Sequence, residues 1–176
     1  MRKVATVLAI LAAAAILACS TMTTAVDYDH TVDWGKYKTF QVATGTPAPT
    51  TFTQKRIDTA ITTTLNSKGW QPVTSDPNIV VYPHVVLSEQ TQLNTMNMGG
   101  YGYRGWGGMG GGMATTTVQK IPIGTLVIDL VDPNTKEMVW RGTASDQVSN
   151  SGESQGKIDE AMQKLFANFP PAPGSK

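Results

Sequence analysis

Cysteine, histidine and charge are all scarce in this chain. One cysteine stands among 176 residues, so no disulfide can form within the chain and its domain must be held together by a hydrophobic core. Two histidines and a charged fraction of 15% leave few candidates for metal binding or acid–base catalysis. We expect a non-enzymatic protein without a cofactor, because the sequence contains no recognisable catalytic set.

The first residues have the pattern of a secretory signal peptide. Arg2 and Lys3 give a positive start, and an uncharged run rich in Ala, Leu, Ile and Val follows over 4–18. A membrane-spanning helix needs about 20 apolar residues, so this run is short for that role. Because the run has no polar face, a buried helix of the domain is also disfavoured. We therefore expect cleavage before Cys19.

The single cysteine lies at this cleavage site. The segment Ile16-Leu17-Ala18-Cys19 resembles the lipobox of bacterial lipoproteins, although Leu17 is less usual there than a small residue. The resemblance implies cleavage between Ala18 and Cys19, diacylglycerol on the Cys19 thiol and acylation of the freed amine. Two or more acyl chains hold a protein firmly at a membrane. We therefore predict a lipid anchor, and the alternative is a buried free thiol.

The residue after the cysteine bears on which membrane carries the anchor. Ser20 is not aspartate, and by resemblance to enterobacterial lipoproteins this favours the outer membrane. We expect the domain to face the periplasm. The membrane, through the lipid, and an envelope protein are the partners that this location suggests.

Cleavage also changes the charge of the chain. Loss of Arg2 and Lys3 lowers the count of Lys and Arg from 14 to 12, against 13 Asp and Glu, so the mature formal charge is −1. This balance leaves no basic footprint for nucleic acid. The length suits one domain. We predict a lipidated tether over 19–25, one domain over 26–171 and a disordered tail over 172–176.

Hydrophobic periodicity predicts four strands and two helices in the domain. The strands are rich in β-branched and aromatic residues and are expected over 37–42, 79–86, 123–131 and 136–148. The helices each carry one apolar stripe and are expected over 53–68 and 154–168. The polar stretch 87–97 is a possible continuation of the second strand. Pro83 lies inside that strand and predicts an edge or a bulge, because proline gives no N–H to a ladder.

The order β-α-β-β-β-α predicts an α+β fold. We expect a two-layer sandwich, in which a mostly antiparallel four-stranded sheet carries both helices on one face. The last three strands should form an antiparallel meander. The first strand is followed by a helical crossover, so it can lie parallel to a neighbour. The sheet face without helices should be solvated or contact a partner.

Several short runs resemble one bacterial family. In chain order they are Asp27-Tyr28-Asp29, the run from Asp33 to Phe40, the run from Leu65 to Trp70, the run from Gly124 to Asp132, the run from Val139 to Ala144, and Phe169-Pro170-Pro171. Together they are similar to the envelope lipoproteins of the domain-of-unknown-function 4136 family, over nearly all of the mature chain. The resemblance implies the location and the fold, and it supplies no catalytic residues.

Two groups of polar residues that include a histidine are candidate sites. Asp27, Asp29, His30 and Asp33 form an acidic cluster, but the glycine and the later glutamate of a calcium-binding loop are missing. Aspartates that cap turns at a solvated start to the fold are the favoured interpretation, and we predict no metal. His84 would need a nucleophile and an orienting acid to act as a base. Nothing in the sequence fixes the geometry of its neighbours Ser88 and Glu89, so a half-exposed strand histidine is favoured.

The third group lies on the predicted hairpin. Asp129 should face away from its apolar neighbours in the strand, and Arg141 on the returning strand could pair with it. The hairpin register decides whether they meet. Asp132 precedes a proline and is typical of a turn, and Trp140 is expected in the core or covering the sheet. The alternative function is a periplasmic hydrolase or small-ligand binder that uses a pocket around Asp129, Arg141 and His84.

A glycine-rich insert over 99–113 interrupts the pattern. It carries Tyr101, Tyr103, Arg104 and Trp106 between glycines. Aromatic residues and arginine contribute much of the energy at protein interfaces, so these four are possible partner contacts. The alternative is an exposed flexible loop that binds nothing.

The sequence thus predicts a non-enzymatic, lipid-anchored envelope protein that binds another envelope component or supports the outer membrane.

Overall fold

The computed structural model describes residues 22–97, 114–148 and 154–171. The strands are β1 (Thr23–Tyr28), β2 (Thr39–Val42), β3 (Gln71–Pro72), β4 (Ile79–Asn97), β5 (Ala114–Val131) and β6 (Met138–Gln147). The helices are α1 (Thr51–Ser67) and α2 (Gln155–Leu165), and a 3-10 turn spans Trp34–Lys36. The predicted signal peptide, Cys19, the insert 99–113 and the tail 172–176 lie outside the described residues.

One mixed sheet contains all six strands, in the order β1-β6-β5-β4-β2-β3. β2 runs parallel to β3 and β4, and the other neighbours are antiparallel. The α+β class, the meander of β4, β5 and β6, and the parallel placement of the first predicted strand are confirmed. The prediction of four strands is wrong, because the sheet has two more, β1 and β3.

There is a physical reason why the sequence pattern does not predict β1 and β3. β1 begins at Thr23, inside the segment predicted as a tether, and most of its side chains are exposed. It shows little periodicity because backbone pairing with β6, from Thr23–Ser145 to Tyr28–Trp140, holds it at the sheet edge. β3 has only two residues, which backbone bonds to β2 keep in place. Neither strand carries the apolar alternation from which strands are predicted.

The helices lie together on one face of the sheet and begin at side-chain caps. Thr50 accepts a hydrogen bond from the N–H of Thr53 at the start of α1, and Ser154 accepts one from Lys157 at the start of α2. Gly69 ends the first helix with a φ of +86°, a conformation that favours glycine. Among the described residues, no helix is long and apolar enough to cross a membrane.

The core between the helices and the sheet contains the residues that the stripes predict. From the helices it includes Ile57, Ile61, Leu65, Ile158, Ala161, Met162 and Leu165. From the sheet it includes Phe40, Ile79, Val81, Ile128, Leu130, Trp140 and Ala144. The two faces of β5 therefore divide as the alternation predicts, with Ile128 and Leu130 toward the helices and Asp129 on the open face.

An aromatic cluster closes one end of this core around Phe169. The Phe169 ring lies 5.6 Å from Trp34, 5.2 Å from Trp70, 5.7 Å from Trp140 and 5.2 Å from Phe166, all edge-on. Edge-to-face contacts at these distances are favourable beyond the burial of apolar area. Trp34, Trp70 and Trp140 come from separate parts of the chain, so the Phe169 ring joins the 3-10 turn, the end of α1 and β6 to the segment after α2.

β4 and β5 extend well past their neighbours as a two-stranded ribbon. β6 pairs with β5 only as far as Ile123, whereas β4 and β5 stay paired to Asn97 and Ala114. We call residues 89–97 and 114–122 the ribbon. Nine residues at about 3.3 Å each give it a length of about 30 Å. The predicted continuation of the second strand over 87–97 is thus confirmed.

We predict that Phe169→Ala lowers the free energy of unfolding by about 3–5 kcal/mol, because it leaves a cavity among four packed rings. Chemical denaturation of the purified protein measures this loss. Phe52→Ala is the matched control, since the Phe52 side chain is 77% exposed, and it should change stability by less than about 0.5 kcal/mol. Equal effects of the two substitutions would contradict the role given to Phe169.

Candidate functional site

Asp132 is a buried carboxylate at the start of the β5–β6 turn. Its Oδ1 accepts hydrogen bonds from the backbone N–H of Asn134 at 2.9 Å and from the Asn134 side chain at 3.3 Å. Its Oδ2 accepts from the Tyr37 hydroxyl at 2.9 Å and from the Lys36 ammonium at 3.3 Å. The turn former predicted from the sequence therefore also ties the 3-10 turn to the hairpin.

These contacts determine the charge state of Asp132. Burial alone would raise the pKa of the carboxyl, but the hydrogen bonds from Asn134, Tyr37 and Lys36 outweigh it and lower the pKa to about 2. Burial raises the pKa of the Tyr37 hydroxyl, so the phenol stays a donor. Asp132 is therefore a fixed structural anion, with both oxygens occupied.

A row of polar side chains crosses the open face of the sheet. Asp27, Arg141, Asp129 and Tyr82 stand opposite one another on β1, β6, β5 and β4. Arg141 donates to both oxygens of Asp129, from Nε at 2.7 Å and from Nη2 at 2.6 Å. The favoured cross-strand ion pair is confirmed. The Asp129 carboxylate raises the pKa of Arg141.

His84 approaches the same carboxylate from β4. Its Nδ1 accepts a hydrogen bond from the backbone N–H of Thr46 at 2.9 Å, and its Nε2 lies 3.6 Å from Oδ2 of Asp129. A ring that accepts at Nδ1 carries its proton on Nε2. Gly45 makes room for the ring, because a Cβ there would lie 2.9 Å from Cε1 of His84 and 2.2 Å from the Pro83 carbonyl oxygen.

Asp129, Arg141 and His84 thus converge, as the alternative function requires. The Thr46 hydroxyl lies 3.1 Å from Nδ1 of His84, which completes the residue types of a nucleophile, base and acid relay. However, Nδ1 has one lone pair and the Thr46 N–H already uses it, so the ring is poorly placed to take the hydroxyl proton. Arg141 occupies both oxygens of the acid. Sequence reasoning missed Thr46 because it lies 38 residues from His84.

Arg141 and His84 lie at the surface and cover Asp129, whose side chain is 10% exposed. The Arg141 side chain is 48% exposed and that of His84 32% exposed. Two larger grooves lie elsewhere: about 510 Å³ between α1 and α2, and about 660 Å³ beside β1 and Phe169. None of the three lines either groove, and small-molecule sites favour enclosed pockets.

The acidic cluster near the start of the domain caps turns. Asp29 accepts from the N–H and the hydroxyl of Thr31, both at 2.7 Å, and these bonds lower the pKa of its carboxyl. Asp33 accepts from the N–H of Gly35 at 2.9 Å, and His30 packs on the Tyr28 ring at 4.4 Å. The described residues contain no group of three acidic, histidine or cysteine side chains positioned for a metal.

Ser154 occupies the serine position of a Gly-x-Ser-x-Gly pattern over 152–156. In some hydrolases this pattern marks a nucleophile on a tight turn after a strand, and sequence reasoning wrongly took it to be missing from this chain. β6 ends seven residues earlier, at Gln147, and Ser154 caps α2 on the helix side of the sheet. His84 is on the opposite face, so Ser154 is a helix cap without a histidine beside it.

The predicted partner contacts Tyr101, Tyr103, Arg104 and Trp106 lie outside the described residues. The structure does describe the two residues at the end of the ribbon, Asn97 and Ala114, which pair with each other. The chain over 98–113 therefore leaves and returns at the far end of the ribbon. The ribbon itself is long and polar, and its side chains over 89–93 and 116–120 are exposed.

We predict that Asp132→Asn lowers the free energy of unfolding by about 2 kcal/mol near neutral pH, from the difference between a pKa of 3.8 unfolded and about 2 folded. A carboxyl with a lowered folded pKa stabilises above its unfolded pKa. The wild-type protein should therefore lose this contribution as the pH falls from about 4 toward 2. Denaturation midpoints over this range measure it.

The exposed Asp159 on α2 provides the control, and Asp159→Asn should keep both the neutral stability and the acid profile of the wild type. The stability difference between wild type and Asp132→Asn should shrink at low pH. A difference that stays constant down to pH 2 would contradict the charged role of Asp132.

Solved structures with a similar fold come from several bacteria. A PDZ domain protein from Parabacteroides distasonis has a TM-score of 0.55 at 14% identity, with 86% of this chain and 35% of that protein covered. A PelC dodecamer from Paraburkholderia phytofirmans has a TM-score of 0.50 at 12% identity, with 83% and 96% covered. Lipoprotein GNA1162 from Neisseria meningitidis has a TM-score of 0.42 at 10% identity, with 77% and 99% covered.

At these identities the first two likenesses show the fold alone, and this chain spans about a third of the Parabacteroides protein. No curated protein matches the chain. The sequence profile of one family matches residues 24–171, which is nearly the whole described domain and includes β1 from its second residue. The chain therefore belongs to the family described as Domain of unknown function DUF4136.

Proposed function

We propose that the protein is a lipid-anchored, non-enzymatic component of the bacterial cell envelope that binds another envelope component through the insert at the end of its ribbon. The ribbon is the observation that carries this proposal. It holds both ends of 98–113 about 30 Å from the last residue pair that a third strand supports. The segment attached there contains three aromatic residues and one arginine.

The anchor rests on the N-terminal sequence. Ile16-Leu17-Ala18-Cys19 has the pattern of a lipobox, and its cysteine is the single one in the chain. β1 begins at Thr23, four residues after that cysteine. A lipidated Cys19 would therefore hold the β1 edge of the sheet close to the membrane. We place the anchor in the outer membrane, because Ser20 and not aspartate follows the cysteine, and we propose that the domain faces the periplasm.

We propose a non-enzymatic function because the polar groups of the domain are already engaged in hydrogen bonds and an ion pair. Both carboxylate oxygens of Asp132 accept hydrogen bonds, which come from Tyr37, Lys36 and Asn134. Asp129 is bound by Arg141, and Nδ1 of His84 is occupied by a backbone N–H. Each group stabilises a local structure, so no proton acceptor of this set is placed to activate a nucleophile.

We predict that replacing Tyr101, Tyr103, Arg104 and Trp106 with serine abolishes the capture of an envelope partner without lowering stability, because the length of the insert is kept. Chemical crosslinking in cells, followed by purification of the full-length protein, measures the capture. Phe52→Ser is the matched control, since it removes an exposed aromatic residue from α1.

His84→Ala is a second control. The proposal predicts unchanged capture in this variant, whereas the alternative of a hydrolase or small-ligand binder at Asp129, Arg141 and His84 predicts a loss. Capture that survives the four serine substitutions would contradict the role of the insert.

We predict that Cys19→Ser releases the protein from membranes, because the substitution removes the thiol to which diacylglycerol is attached. Detergent phase partitioning of cell extracts measures this, with Ser20→Ala as the control that should remain membrane-bound. A Cys19→Ser protein that still partitions with membranes would contradict the lipid anchor.

A further inference from the structure

The N-terminal end of β1 lies at the base of the ribbon. Thr23 on β1, Thr125 on β5 and Val86 on β4 stand in one row across the sheet, and the ribbon begins three residues beyond Val86. From this row β1 runs away from the ribbon, because it is antiparallel to β6 and ends opposite Trp140. The segment from Cys19 to Thr23 is therefore attached at the ribbon end of the domain.

This attachment limits how far the domain can stand from the membrane that holds its anchor. Thr23 comes four residues after Cys19, and four extended residues span at most about 14 Å. The far end of the ribbon at Asn97 lies eleven residues beyond Val86, which is about 36 Å along the strand. The ribbon therefore reaches more than twice as far as the segment by which the domain is attached.

Both upright orientations of the sheet conflict with so short an attachment. If the ribbon points straight away from the bilayer, the other end of the sheet faces it. There β5 continues six residues past Thr125 to Val131, about 20 Å, so the attached segment is too short to reach around the domain. If the ribbon points straight into the bilayer, its far end enters the hydrocarbon, which gives strand edges no hydrogen-bond partners. An anchored domain must therefore incline its ribbon along the bilayer surface.

The composition of the ribbon suits the headgroup region of a bilayer. Glu89 and Lys120 are its only charged residues, and they neutralise each other in an ion pair of 2.9 Å near the domain. The remaining residues over 90–97 and 114–119 are uncharged and are mainly Thr, Gln and Asn. Charged side chains are costly to bring into a bilayer, whereas hydroxyl and amide groups can hydrogen-bond to headgroups and water. The outer part of the ribbon therefore brings no charge to the membrane.

One face of the ribbon also presents apolar side chains. Leu93 and Val118 stand opposite each other and are 67% and 60% exposed. Leu87 lies at the base of the ribbon on the same face, since side chains alternate along a strand, and it is 56% exposed. Closer to the domain this face is covered by the helices, where Val81 is buried. Beyond the core the same face thus offers apolar area whose burial strengthens binding to a membrane surface.

We propose that the ribbon lies against the phospholipid bilayer that carries the Cys19 anchor, with Leu87, Leu93 and Val118 turned toward the boundary between headgroups and acyl chains. This arrangement depends on the lipid anchor of the proposed function. The bilayer is the occupant of this face because the short attachment keeps the ribbon beside it. The backbone edges of the ribbon stay among headgroups and water, where hydrogen-bond partners are present.

Photocrosslinking in vesicles tests this contact. The full-length lipidated protein is the sole protein in vesicles of phosphatidylethanolamine and phosphatidylglycerol, and it carries a photoreactive residue at Leu93. We expect phospholipid adducts, which mass spectrometry of the digested protein detects. The matched control has the photoreactive residue at Met138, an exposed apolar position at the opposite end of the sheet, and should give no lipid adducts. Absence of adducts at Leu93, equal adducts at both positions, or links to a second copy in their place would overturn the proposal.

A charge on the apolar face tests its role, and the anchor is checked separately. Val118→Glu, opposite the photoreactive residue, should remove most of the Leu93 adducts, whereas Val118→Thr should keep them. Unchanged adducts in the Val118→Glu protein would contradict the role of this face. The mass of the Cys19 peptide shows whether the cysteine is lipidated. If it is not, the anchor fails, and coupling of the Cys19 thiol to a maleimide lipid still tests the ribbon at the same point of attachment.

Discussion

The contacts of the Phe169 ring with Trp34, Trp70 and Trp140 fix the positions of the other parts of the domain. The ring comes from the segment after α2 and closes over the 3-10 turn near the start of the domain. With one cysteine in the chain, no disulfide can replace this connection. The ends of the domain are therefore held by aromatic packing, reinforced by the bonds from Lys36 and Tyr37 to Asp132. The sheet remains a firm base from which the ribbon extends.

The runs shared with the family serve this architecture. Trp34, Trp70, Trp140 and Phe169 form the aromatic cluster, and Gly142 leaves room for the Trp140 ring, since a Cβ there would lie 2.4 Å from it. Asp129 and Asp132 are used by Arg141 and Tyr37. Family membership thus indicates a common fold. The described residues of the ribbon, by contrast, contribute no side chain to this core.

The regular elements with apolar stripes were predictable from the sequence, because burial on one face leaves a period of 3.6 or 2 residues. The stripe of α2 and the inward residues of β5 are examples. β1 and β3 were not predictable from the sequence, because backbone pairing alone holds these strands in place. The contact of Asp129 with Arg141 depends on the hairpin register. The contact of Thr46 with His84 depends on a loop that is distant from His84 in sequence. Neither leaves a local pattern.

The polar groups of the described domain are used for stability, and we propose that the insert at the end of the ribbon makes the contacts. Photocrosslinking in cells tests this most directly, with a photoreactive residue at Gln92 on the ribbon, at Thr143 on the open sheet face, or at Thr63 between the helices. We expect crosslinked products to an envelope partner from Gln92, beside the insert, and few from the other two positions. Products that form mainly from Thr143, beside the Asp129–Arg141 pair, would contradict it.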